Sequence, residues 1–139
     1  MVNRDIVGRK VARATSWLAD AAGRLDEPPE AFLASADSRD LATFHVFLAM
    51  QEVIDLAVHW VADAGWDVPD DAGGTFDVLA EHGVIPSPTA TELRAMTGLR
   101  NRIAHGYASI DHERLQEESK AGLIAMRAFL VSIADAAGL

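Results

Sequence analysis

The chain has 139 residues, half of them hydrophobic, and its 21 acidic residues outnumber 12 basic ones for a net charge of −9. That length suits one domain, residues 1–139, with an apolar core of its own, and the acidic balance excludes a surface that binds nucleic acid non-specifically all over. Zero cysteines exclude disulfides, thiolate metal sites and a cysteine nucleophile.

At the N-terminus Asn3, Arg4 and Asp5 stand where an export signal would be apolar, so the expected location is the cytoplasm. Val7, Val11, Ala14, Leu18, Ala21 and Leu25 recur at three- and four-residue steps and predict a first helix from Asn3 to Leu25. Gly23 and Asp26-Glu27-Pro28-Pro29 are expected to end it, and Pro29 suits the first turn of a short helix through Leu33. Asp37 or Ser38 can cap a long helix reaching Ala64 and closed by Gly65, apolar on more than one stripe as a central helix would be. Its stretch Ala49–Ala64 is broken by Gln51, Glu52, Asp55 and His59, which argues against a membrane span of about 18 to 20 residues.

Trp66–Gly74 reads as a loop, with a turn at Gly73-Gly74, and Thr75 as the cap of a short helix stopped by Gly83. Ser87-Pro88 opens a helix through Leu93, Met96, Leu99 and Ile103 to Gly106, expected to be a left-handed terminator. Asp111 caps a last helix with Leu115, Ile124, Met126, Phe129, Leu130 and Ile133 on its apolar face. No segment has the period of a strand. The fold class is all-α, an antiparallel bundle of four main helices plus one or two short ones.

The chemistry concentrates in Arg100-Asn101-Arg102-Ile103-Ala104-His105-Gly106-Tyr107, within a stretch from Leu93 to Ile110 that holds Arg94, Arg100 and Arg102 and no acid. Arginine and histidine with four residues between them are common by chance; Arg39 and His45 make a similar pair. The added Asn101 and Tyr107, the chain's one tyrosine, make the pattern more specific. Histidine can move a proton between a ribose 2′-hydroxyl and a leaving 5′-oxygen, and arginine can grip the phosphate with a two-pronged fork. The 2′-hydroxyl is itself the nucleophile, so the reaction needs no protein nucleophile and no metal. Arg100 and His105 stand about 140° apart on an ideal helix. Either the helix ends near Ala104, or a second copy of the chain completes the site, the arrangement favoured here. Gln51 and Asp55, four apart on the central helix, and Asp40 are candidates to orient Arg100 or Arg102. Each residue also has a structural use: Arg100 against carboxylates, His105 at a helix C-terminus, Tyr107 in the core.

Arg100-Asn101-x-x-x-His105-x-Tyr107 at the end of a helix in such a bundle resembles the HEPN superfamily and, within it, the HepT toxins. Arg39-Asp40, Gln51-Glu52-x-x-Asp55 with His59, and Phe76-x-x-Leu79 before Gly83-Val84-Ile85 extend the similarity from Leu18 to Phe129, whereas Trp66–Gly74 has no counterpart. The resemblance implies a homodimeric, metal-independent endoribonuclease without cofactor, the toxin of a type II or VII-like toxin–antitoxin module. It implies Arg100 and His105 as catalytic residues, Asn101 and Arg102 supporting them, and RNA as substrate. The implied partner is a minimal nucleotidyltransferase antitoxin that in some members adds AMP to the motif tyrosine, here Tyr107. A non-catalytic helical subunit that presents substrate to a nucleotidyltransferase, and a purely structural dimer, remain the alternatives.

Overall fold

Six α-helices and one 3-10 turn make up the computed structural model, which describes residues 3–139, and no strand occurs among them. In chain order they are α1 (Arg4–Leu25), α2 (Pro29–Ala34), α3 (Ala36–Asp63), α4 (Ala72–Glu81), α5 (Ser87–Gly106), the turn Tyr107–Ser109 and α6 (His112–Ala136). Four long helices and two short ones form the antiparallel bundle that the periodicity predicts. The central member is α3, which packs against each of the other five.

The ends of the helices show where local chemistry decides. Asn3 caps α1 by accepting from the amides of Asp5 and Ile6 at 3.0 and 3.2 Å. Gly23 does not end this helix, which continues to Leu25. The cap of α3 is Ser35, accepting from the Ser38 amide at 3.1 Å, and neither Asp37 nor Ser38 fills that role. Asp71, not Thr75, caps α4, so Gly73 and Gly74 lie in its first turn instead of a loop. Gly65 and Gly83 do close α3 and α4, with φ of 76° and 73° that a side chain would resist.

By length and composition α3 is apolar enough to cross a membrane, contrary to the sequence expectation, because Glu52 and Asp55 interrupt it too sparsely. Half of that apolar window is buried inside the bundle. Glu52 is buried there as well, and Lys10 and Arg13 of α1 reach it at 3.2 and 3.0 Å. Those two cations therefore clamp α1 to α3, and removing either partner of a buried carboxylate is costly.

At the other side Phe76 of α4 meets Phe129 of α6 edge to face, centroids 5.7 Å apart. Gln116 of α6 donates to the carbonyls of Leu25 and Glu27, tying the α1–α2 connection to the bundle. Ile124, expected on the apolar face of α6, is 69% exposed. Where α6 crosses α5, Gly122 lets the chains touch: a Cβ there would sit 2.8 Å from both Cγ and Cε of Met96, and closer to its sulfur. Gly122→Val should therefore lower stability by about 1–3 kcal/mol through overpacking, read as a lower denaturant midpoint with an unchanged slope.

Candidate active site

The helix that carries the motif is unbroken from Ser87 to Gly106, with a proline in its first turn to start it. Because it does not end near Ala104, the five-residue step from Arg100 to His105 keeps its helical separation of about 140°. Gly106 is not left-handed; its φ of −163° is extended backbone, and the chain leaves through the 3-10 turn Tyr107–Ser109. Ser109 Oγ closes that turn onto the Gly106 carbonyl at 3.0 Å.

The two catalytic candidates consequently face different depressions. Arg100, with Arg94, Thr97 and Asn101, borders a cleft against the start of α4 at Asp71 and Gly73. His105, exposed, borders a depression of about 370 Å³ against the start of α6, with Arg102, Ser109, Asp111 and Arg114. One protomer does not bring Arg100 and His105 together.

The arginines around them differ in what they hold. Arg94 is engaged by Asp77, whose hydrogen bond and charge raise the pKa of the guanidinium. Arg102 Nη2 donates to Glu118 at 2.5 Å, and the same carboxylate accepts from Arg114 Nε at 2.7 Å. Arg100 forms no ion pair among the described residues, and its Nε is buried without an acceptor. Burial of an unmatched donor is costly unless an acceptor arrives.

None of the three proposed orienting residues bonds these arginines among the described residues. Asp55 lies 3.8 Å from Lys10, and Gln51 makes no bond to Arg100 or Arg102 among the described residues. Asp40 accepts from the Tyr107 hydroxyl at 2.7 Å instead. Tyr107 is not a core residue; it is 43% exposed, and the His112 ring approaches its ring edge to face, 6.5 Å away. Partial burial of the ring, then the hydrogen bond and charge of Asp40, push its pKa up to about 12.

Sequence reasoning missed Arg114 and Glu118. Their four-residue spacing on α6 was readable as a surface pair, but nothing local says that Glu118 would meet Arg102.

Since Tyr107 is the sole tyrosine, its phenolate absorbance should give one titration with a midpoint near about 12. The unfolded phenol ionises near ~10, so the folded group holds its proton longer. The stability this contributes is whole below pH ~10 and is lost as pH rises through the folded value. A midpoint near the ordinary value would mean that neither the partial burial of the ring nor the Asp40 bond persists in solution.

A family model described as Ribonuclease HepT-like matches residues 15–133. Two proteins of Archaeoglobus fulgidus described as candidate RNases are 31% identical over 84 residues and 34% identical over 73. Those matches take in 58% and 52% of this chain, and span 63% and 54% of the relatives, less than two thirds of either. Among solved structures, a tri-AMPylated Shewanella oneidensis HEPN toxin in complex with an MNT antitoxin superposes with a TM-score of 0.83 at 21% identity, covering 95% of this chain and 98% of that one. A toxin–antitoxin structure with AMP-PNP gives 0.83 at 20% identity, covering 93% and 97%. The cytosolic protein YutE of Bacillus subtilis, of unknown function, gives 0.83 at 17%, covering 97% and 90%. At such identities the likeness establishes the fold.

Proposed function

This chain belongs to the HepT-like ribonuclease family, and on that premise we propose that it is a single-domain cytoplasmic toxin, an endoribonuclease restrained by a nucleotidyltransferase antitoxin. The observation that carries the reading is the contrast among neighbouring cations. Arg94 and Arg102 are already matched by Asp77 and Glu118, whereas Arg100 keeps a buried, unanswered Nε and His105 stands exposed. An RNA phosphate in the cleft that Arg100 borders would meet a guanidinium that no carboxylate among the described residues already holds.

In this reading the ribose 2′-hydroxyl gives its proton to the His105 imidazole as its oxygen attacks the adjacent phosphorus. The bond to the 5′-oxygen breaks, that oxygen gains a proton, and a 2′,3′-cyclic phosphate remains. Arg100 holds the non-bridging oxygens as charge builds on them, with Asn101 beside it in the same cleft. Since one protomer separates Arg100 from His105, the proposed site is composite: Arg100 of one copy works with His105 of the partner subunit in a twofold dimer. Leu41 and Phe44, 38% and 53% exposed on α3, offer apolar area for such an interface.

The chain's proposed partner adds AMP to Tyr107, a reading supported by the similar Shewanella toxin, which is tri-AMPylated and in complex with an MNT antitoxin. A nucleotide there would place an anion close to the motif and compete with RNA phosphate for Arg100.

The purified chain should cleave RNA with EDTA present and leave cyclic phosphate ends. Intact RNA at large protein excess would instead favour a non-catalytic subunit that serves the nucleotidyltransferase.

A further inference from the structure

We propose that Asp40 is the general base for modification of Tyr107, so that the toxin supplies part of the chemistry that silences it. The inference rests on the reading of Tyr107 as the residue that receives the nucleotide. Its geometry is direct: Tyr107 Oη donates to Asp40 Oδ1 at 2.7 Å, inside the about 2.6–3.2 Å reach expected of a base and the proton it removes.

The reaction needs such a group. As Tyr107 Oη bonds to the α-phosphorus of a nucleoside triphosphate, the bond from that phosphorus to the bridging oxygen of pyrophosphate breaks. Pyrophosphate leaves, and the phenolic proton, now strongly acidic, passes to Asp40 Oδ1 and on to water. The nucleoside triphosphate comes from the nucleotidyltransferase partner. No atom changes oxidation state.

The surroundings favour Asp40 over other acceptors. The charged and titratable groups about the phenol are Asp40 and Arg39 on α3 and His112 at the start of α6. Arg39 donates to the Leu33 carbonyl and has no lone pair to offer. The His112 ring presents an edge-to-face contact at 6.5 Å and no hydrogen bond to the hydroxyl. No lysine or arginine among the described residues forms an ion pair with Asp40, so its oxygens are open to a proton. Tyr107 is itself 43% exposed, so a second protein's bound nucleotide can approach the residue.

The test uses the full chain carrying His105→Ala, so that toxicity does not confound expression, mixed with the nucleotidyltransferase, magnesium and ATP, and follows AMP on Tyr107 by intact mass. Adding Asp40→Asn, which keeps an oxygen for the hydroxyl but cannot take its proton, should slow uptake by ~100-fold. It should also make the rate climb with pH toward the ordinary phenol ionisation near ~10, where the parent is flat. The phenolate midpoint should fall from about 12 toward the ordinary value, reporting that the two side chains interact. Equal uptake by both chains, with the same pH profile, overturns the assignment of Asp40 alone. No uptake by the parent overturns the reading of Tyr107 as target, and this inference with it.

Discussion

An Arg100→Ala chain mixed with a His105→Ala chain should cut RNA that neither cuts alone. Removing the imidazole removes general acid–base catalysis, a loss of ~10²–10⁴-fold. Removing the guanidinium removes charge stabilisation at the phosphate, a loss of ~10²–10³-fold. The unbroken α5 carries these residues to separate depressions, and the proposed site therefore draws its pair from two chains. In a mixed dimer the first chain still has His105 and the second still has Arg100, which rebuilds one composite site of two. With random exchange half the dimers are mixed, and the mixture should recover roughly a quarter of the parent rate. Recovery requires that the subunits exchange, which partial unfolding and refolding of the mixture ensures. A mixture as inactive as its components would sink the two-chain site.

Phe129→Ala should remove about 3–5 kcal/mol of stability, a large part of the ~5–15 kcal/mol that holds a domain folded. Phe129 is fully buried and meets the fully buried Phe76 at nearly a right angle, 88°. Its loss leaves a cavity between α6 and α4 that flanking helices cannot fill without moving. Through α4 the damage should reach the proposed site, because the first turn of that helix walls the Arg100 cleft at Asp71 and Gly73. Ile124→Ala on the same helix, 69% exposed, should change stability by less than ~0.5 kcal/mol. Equal denaturant midpoints for the two variants would refute this account of the core.

The helices were legible because their buried residues repeat: all five buried positions of α1 were among those the spacing marked. Helix starts were less so. Ser35, Asp37 and Ser38 can all serve as caps, and the choice depends on which amide the backbone leaves free. Gly73-Gly74 resembles a turn in isolation, yet glycine is tolerated in a first helical turn once Asp71 caps it. The motif residues themselves were readable, but the carboxylates around them were not. Asp40 and Tyr107 are 67 positions apart, and Arg102 and Glu118 are 16 apart. Spacing along one helix cannot announce a pairing between two, and the partner of Asp40 is a phenol instead of an arginine.

The opposed directions of Arg100 and His105 on one rod have a consequence for dosage. If potency requires an encounter between two chains, a solitary newly made copy is harmless. Damage then grows with roughly the square of abundance while copies are scarce. Such a threshold gives a slower inhibitor time to reach each molecule before it meets its twin.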